Sequence, residues 1–327
     1  MKYRTFADGE PSVSEVGLGT WQLGADWGDV DDKTAERILG QAVDCGVNFF
    51  DTADVYGKGL SETRIRRFIK AYAGNLFVAT KLGRFPEPGG AENVSLTQFR
   101  LHTENSLKRL GVEALDLTQV HCLPTEVLKQ GDLFEWLRLL KKEGKIKNFG
   151  LSVESMEEAL ICLEQEGVSS LQIIFNIFRQ KPITALFDRA KAQNVSLIIR
   201  LPLASGLLSG KFLANAIFPE NDHRNYNRNG EQFNVGETFS GIPFSKGVEL
   251  SDDLKSLVPE GITLAQMAMR WILDFDAVTV VIPGATTPEQ VETNCSASDL
   301  APLSEELHRK LKEFYENRSA PLIRGKY

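Results

Sequence analysis

Short apolar runs alternate with amphipathic segments along this 327-residue chain. The runs are residues 16–20, 47–50, 76–80, 115–120, 146–151, 171–175, 196–201 and 278–282. They are apolar on both alternations, as in Leu197-Ile198-Ile199, the pattern of strands buried on both faces. Between them, residues 33–45, 61–73, 97–110, 126–143, 155–166, 183–193 and 264–275 set apolar positions at i, i+3 and i+4 against a charged face, which predicts helices. Strand–helix alternation repeated eight times predicts a parallel sheet. Closing that sheet gives a (β/α)8 TIM barrel, with residues 1–327 as one domain.

An open doubly wound sheet is the rival. For a dinucleotide it would carry G-x-G-x-x-G after the first strand, and Gly17-Leu18-Gly19-Thr20-Trp21-Gln22-Leu23-Gly24 has the wrong spacing. Gly206-Leu207-Leu208-Ser209-Gly210-Lys211 is one residue short of a phosphate loop and runs into Phe212, so it does not indicate a nucleoside triphosphatase.

Two segments stand outside the repeat. Residues 2–16 alternate around Asp8-Gly9 and predict a hairpin that closes the bottom of the barrel. Residues 213–249, between the seventh and eighth strands, are rich in Asn, Gly, Phe and charge without clear periodicity. A loop of that length is expected to be functional and leaves the barrel on its catalytic side, so it is read as a substrate loop.

Composition narrows the partners. Hydrophobic residues make up 42% and charged residues 25%, enough for a large core. The formal charge is −7, and no run of Lys and Arg offers a footprint for a phosphate backbone, so nucleic acid is not an expected partner. Cys45, Cys122, Cys162 and Cys295 are scattered with no C-x-x-C pair, which indicates reduced thiols and no zinc knuckle or other metal site. Cys122 beside His121 lacks any further activating base. The first eleven residues are polar, and nowhere do about 18 apolar residues run together. The expected address is the cytoplasm, without a membrane. No feature specifies an oligomeric state.

Four polar residues fall at or just beyond predicted strand ends: Asp51, Tyr56, Lys81 and His121. In a barrel those ends converge on one face. A tyrosine with a pKa of about 10 holds its proton too tightly to be an efficient acid near neutrality. A neighbouring lysine ammonium would stabilise the phenolate, Asp51 would hold that lysine, and His121 would align a substrate oxygen. Each of the four alone reads more often as a cap or surface charge; together on one rim they form a proton-delivery set.

The chain resembles the aldo-keto reductases from about Gly17 to Asn294. The resemblance rests on Gly17-Leu18-Gly19-Thr20-Trp21, Gly46-Val47-Asn48-Phe49-Phe50-Asp51-Thr52-Ala53-Asp54-Val55-Tyr56-Gly57, Thr80-Lys81, Gln119-Val120-His121, Phe149-Gly150-Leu151-Ser152 and Ile282-Pro283-Gly284 leading to Gln290 and Asn294. It implies a barrel that binds NADP(H) without a Rossmann fold and moves a hydride between nicotinamide and a small-molecule carbonyl or alcohol. It implies Tyr56 as general acid or base with Lys81, Asp51 and His121. The implied cofactor contacts are Gly19, Thr20, Trp21, Asp51, Ser152, Gln172, Arg200, Leu203, Ser205, Gly206, Leu208, Lys211, Gly284, Thr286, Gln290 and Asn294. Trp21 reads alternatively as packing, and Lys211 as a surface cation.

Three positions depart from the family's pattern. Arg200 stands where many members stack an aromatic ring on the nicotinamide, which leaves a guanidinium plane in that place. Residues 284–294 contain no Lys or Arg, so a bidentate grip on a 2′-phosphate is absent and NAD(H) stays open beside NADP(H). Thr293 replaces a common glutamate, which loosens the hold on the adenine. Two other functions share the fold: a cofactor-binding regulatory subunit, and a Schiff-base lyase with Lys81 as nucleophile.

Overall fold

The computed structural model describes residues 1–7, 11–24 and 30–327. A hairpin of β1 (Tyr3–Thr5) and β2 (Ser12–Ser14) pairs antiparallel with Tyr3 opposite Ser14; its Asp8-Gly9 turn lies outside the described residues. The eight predicted runs become β3 (Leu18–Gly19), β4 (Phe49–Asp51), β5 (Phe77–Leu82), β6 (Leu115–His121), β7 (Ile146–Ser152), β8 (Val168–Ile174), β9 (Ser196–Arg200) and β10 (Val278–Val281). They pair in parallel in sequence order. Parallel bridges Val16 to Val281 and Gly19 to Gly284 join the first strand to the last and close the barrel.

Period-two alternation sorts the strand residues into two cores. Phe49, Phe77, Ala79, Leu117, Ile198, Val280 and Ile282 fill the barrel interior together with Phe6 and Val13 of the hairpin. Phe6 sits 4.8 Å from the Phe77 ring, and Phe49 stacks on Phe77 at 5.2 Å. The hairpin is therefore an aromatic plug at the N-terminal end, as expected. The opposite alternation, including Val16, Phe50, Val78, Val120 and Val281, packs under the outer helices.

Local signals set the helix ends. Ser155 and Glu158 form a capping box before the helix Met156–Leu163, as do Thr263 and Gln266 before Leu264–Leu273. The predicted helix 126–143 is instead two, Thr125–Gln130 and Asp132–Lys142, because Gly131 takes φ 85° between them. The predicted helix 183–193 also breaks, into Pro182–Ala185 and Phe187–Ala192, at Leu186.

The segment 213–249 departs most from its reading as an aperiodic loop. It contains the turns His223–Tyr226, Val235–Glu237 and Phe239–Gly241, and the helix Phe244–Leu254 begins inside it. Phe218, Asp222, His223, Asn227 and the whole stretch from Gly236 to Ile242 are buried. Asn227 holds the turn, accepting from the Gln232 and Phe233 amides and donating to Thr238 Oγ1 at 3.0 Å. This is a packed cap with its own polar network.

Candidate active site

The inward alternation that is aromatic at the bottom of the barrel turns polar toward the C-terminal rim. Asp51 follows Phe49 on β4, Lys81 follows Phe77 and Ala79 on β5, and His121 follows Leu117 and Gln119 on β6. Register places Asp51 beside Ala79, Lys81 beside Gln119 and His121 beside Ser152. The structure thus brings the predicted strand-end residues onto one rim.

Asp51 and Lys81 are almost wholly buried, at 3% and 1% exposure. The Lys81 ammonium donates to Asp51 Oδ1 in a short contact, to the Thr52 carbonyl at 2.9 Å and to Tyr56 Oη at 3.4 Å. The other carboxylate oxygen of Asp51 accepts from Gln172 Nε2 at 2.7 Å and Gln119 Nε2 at 3.1 Å. Four polar side chains thus form a satisfied layer under the rim. That is the condition under which buried charge is tolerated. Burial pulls the Lys81 ammonium below its usual range, against the opposing pull of Asp51.

Tyr56 stands at the edge of this layer on a turn fixed by two glycines. A Cβ on Gly24 would lie 2.6 Å from the Tyr56 carbonyl carbon, and one on Gly57 would lie 2.6 Å from the Gly24 oxygen and require φ 59°. The two loops therefore touch backbone to backbone. That contact sets the Trp21 ring nearly parallel to Tyr56, at 5.8 Å and 16°. His121 meets the tyrosine edge-on at 6.0 Å. Burial first, then the charges of Asp51 and Glu237, push the Tyr56 phenol well above its usual value, while Arg200 opposes them. Desolvation and the two carboxylates outweigh the opposing guanidinium. The rim presents a protonated phenol. His121 is driven the other way, well below the usual imidazole value, by burial and then by Arg84, Lys81 and Arg200. It is neutral at working pH, and its Nδ1 has no hydrogen-bond partner among the described residues.

Asp54 belongs to the same motif but faces away, fully buried behind the rim with His102 Nδ1 3.5 Å from Oδ2. Burial, reinforced by Glu62, raises its carboxyl to about 8. An unfolded carboxyl near 3.8 releases its proton while the folded one keeps it, so this group's stabilisation fades as pH rises from about 4 through 8. Asp54→Asn is expected to gain ~1–3 kcal/mol near pH 8 and little near pH 4. Thermal melts across that range check it, and a gain independent of pH would contradict it.

The residues named as cofactor contacts divide in two. Gly19, Trp21, Leu203, Gly206, Gly284 and Thr286 are half-buried, and Lys211 and Gln290 are exposed. A cofactor laid from the barrel mouth across β9 and β10 would reach them. At Gly284 the Gln22 side-chain amide lies over the backbone, 2.1 Å from where a Cβ would fall, so a side chain there would have to move that amide. After β9 the backbone of Leu201, Ala204 and Ser205 runs at φ 54°, 48° and 55°, strain of the kind that marks ligand loops, and Gly206 follows at φ 95°, which glycine adopts freely. Thr20, Ser152, Gln172, Ser205, Leu208 and Asn294 are buried. Thr20 and Ser205 spend their hydroxyls on the protein: Thr20 Oγ1 donates to the Asp51 carbonyl at 2.8 Å, and Ser205 Oγ accepts from Phe239 N at 3.1 Å. Gln172 spends its amide on Asp51. These three shape the site from beneath.

The sequence reading passed over Gln119, although it lies two residues before His121 on the inward alternation. It also passed over Arg84, Glu154 and Glu237. These are loop charges that look like solvated surface until the fold gathers them at the mouth.

A closed α/β barrel thus carries at its C-terminal rim a buried Asp51–Lys81 pair in contact with Tyr56, with His121 beside it. A sequence profile of the aldo/keto reductase family matches residues 15–316, so the chain belongs to that family of oxidoreductases. It is similar to the aldo-keto reductase YhdN of Bacillus subtilis, at 29% identity over 89% of this chain and 87% of that one. It is also similar to an NADP(+) aldo-keto reductase of Schizosaccharomyces pombe, at 27% over 100% and 95%. Among solved structures, the glycerol dehydrogenase of Gluconobacter oxydans superposes with a TM-score of 0.79 at 27% identity, covering 99% of this chain and 98% of that one. The holo form of an aldo-keto reductase of Bacillus halodurans gives 0.77 at 25% over 98% and 99%. Among the described residues no helix is long and apolar enough to cross a membrane.

Proposed function

We propose that this protein reduces aldehydes or ketones to alcohols with a nicotinamide cofactor, Tyr56 donating the proton to the carbonyl oxygen. The observation that carries this reading is the contact chain from Asp51 through the Lys81 ammonium to Tyr56 Oη, beside an imidazole held neutral. The cofactor supplies the hydride. The chain's own residues do the rest: His121 donates to and aligns the carbonyl oxygen, Trp21 walls the pocket, and Tyr56 delivers its proton. In the reductive direction Tyr56 acts as acid, and in the oxidative direction the same oxygen acts as base.

The cofactor is proposed to be NADP(H), as in the named yeast relative, with NAD(H) retained because residues 284–294 carry no cation. The Arg200 guanidinium takes the place of an aromatic platform for the nicotinamide. Arg200 Nε and His121 Nδ1, without hydrogen-bond partners among the described residues, are buried polar atoms of the kind a ligand satisfies. A Schiff base on Lys81 is disfavoured, because the ammonium is buried and already donates to three oxygens. Absorbance of NADPH and of NADH, followed with a panel of aldehydes, tests the proposal. Consumption that depends on the aldehyde is expected, and none with either cofactor would overturn it.

A further inference from the structure

The barrel closes where its first strand meets its last, and that seam is held by isolated bridges rather than a continuous ladder. β3 is only two residues long. Across the seam the Gly17 amide donates to the Val281 carbonyl at 2.8 Å, the Gly19 amide to the Pro283 carbonyl at 3.0 Å and the Val281 amide to the Glu15 carbonyl at 2.9 Å. Outside it, the helices Asp32–Asp44 and Pro288–Ser296 pack against each other. Ile38, Leu39 and Ala42 of the first and Val291 and Cys295 of the second share one apolar cluster with Val16 and Val281 of the seam.

Two of the four cysteines meet in that packing, although they lie far apart in the chain and no spacing pairs them. Cys45 caps the C-terminal end of the helix Asp32–Asp44, and Cys295 stands one residue before the end of the helix Pro288–Ser296. The Cys295 thiol is in hydrogen-bonding contact with the Cys45 sulfur. Their surroundings differ. Cys45 is half-buried, and the Gln41 side-chain amide, one helical turn back, donates to its Sγ at 3.5 Å, a contact that supports negative charge on the sulfur. Cys295 is buried, and burial raises its thiol above the usual range. A reagent from solution therefore meets Cys45 first, and Cys295 reacts through it.

The remaining cysteines lie elsewhere. Cys122 is at the opposite, C-terminal rim, where its thiol donates to Ser152 Oγ at 3.3 Å, and Cys162 is buried in the helix Met156–Leu163. Among the described residues no third His, Cys, Asp or Glu ligand atom joins the sulfurs of Cys45 and Cys295, so the pair does not make the four-ligand set of a structural zinc site. Two thiols touching across a helix interface, one of them reachable, are instead arranged for thiol–disulfide exchange.

We propose that Cys45 and Cys295 form a reversible thiol–disulfide site whose oxidation by a low-molecular-weight disulfide closes the barrel seam covalently. The Cys45 sulfur attacks one sulfur of the reagent and breaks its S–S bond; the first reagent thiol leaves with the Cys45 proton. The Cys295 sulfur then attacks the Cys45 sulfur, and the second reagent thiol leaves with the Cys295 proton. Two protein thiols are oxidised by two electrons, and one reagent disulfide is reduced to two thiols. Joining residues so distant in the chain restricts the unfolded state, an effect that grows with the length of the loop closed.

The test needs no enzymatic activity. The reduced protein is incubated under native conditions with glutathione disulfide, its remaining thiols are blocked, and its peptides are mapped without reduction. A Cys45–Cys295 cross-link that dithiothreitol reverses is expected, with a thermal midpoint roughly 5 °C or more above that of the reduced protein. Cys45→Ser is expected to lose both the cross-link and the rise, and Cys295→Ser to stop at a glutathione adduct on Cys45 without the rise. In the wild type, a product that stops at that adduct, a cross-link to Cys122 or Cys162 instead, or no reaction of either thiol overturns the pairing. A mapped Cys45–Cys295 cross-link with an unchanged midpoint overturns its part in closing the seam.

Discussion

Tyr56→Phe is expected to lower kcat for carbonyl reduction by about two to four orders of magnitude, the usual worth of a positioned general acid, while cofactor affinity stays at the wild-type value. The change removes one oxygen. The ring keeps its parallel packing on Trp21 and its edge contact with His121, neither of which uses the hydroxyl. Lys81 loses only its longest contact, at 3.4 Å, and retains Asp51 and the Thr52 carbonyl. The buried polar layer, and with it the fold, survives. Single-turnover reduction, with fluorescence titration of the cofactor, separates the two quantities. If His121 were the acid instead, Tyr56→Phe would keep its rate. The neutral, buried imidazole argues against that, since it is held well below the range in which it carries a second proton.

Much of this site is legible in the sequence because a barrel strand writes its inward face at every second residue and its catalytic end last. Asp51, Lys81 and His121 each close an apolar run, so alternation and position suffice to find them. The same rule reaches Gln119 once the inward face of β6 is followed back from His121. It does not reach Arg84, Glu154 and Glu237. Their partners lie 153 and 70 positions apart in the chain, and each is flanked by loop residues with no period. The cap is hard to read for a related reason. Its helix Phe244–Leu254 contains Gly247, which looks like a breaker but is there because a Cβ would fall 2.4 Å from Leu207 Cδ1. Gly131 misleads in the opposite sense, interrupting an apolar stripe that otherwise runs through two helices. In each case a tertiary contact or one left-handed residue overrides the local pattern.

Lys81→Met is expected to destabilise the protein by ~3–5 kcal/mol, because it leaves the Asp51 carboxylate buried without its cation. The two glutamine donors on Oδ2 remain, but they are neutral dipoles and supply roughly half the strength of a charge-assisted bond. Asp51→Asn in the same background removes the stranded charge while still accepting from Gln119 and Gln172. The double variant Asp51→Asn/Lys81→Met is therefore expected to recover a large part of the lost stability, an energetic coupling that two independent sites would not show. Activity should not return with it. Lys81 also donates to Tyr56 Oη, and without that ammonium nothing in the layer offsets the charge that develops on the phenol oxygen as its proton leaves. Urea midpoints for the wild type, both single variants and the double variant, set beside their reduction rates, test both halves. A double variant no more stable than Lys81→Met would mean that the Asp51–Lys81 pair is not the element holding this layer together. Recovery of activity along with stability would mean that Lys81 serves the fold and not the proton transfer.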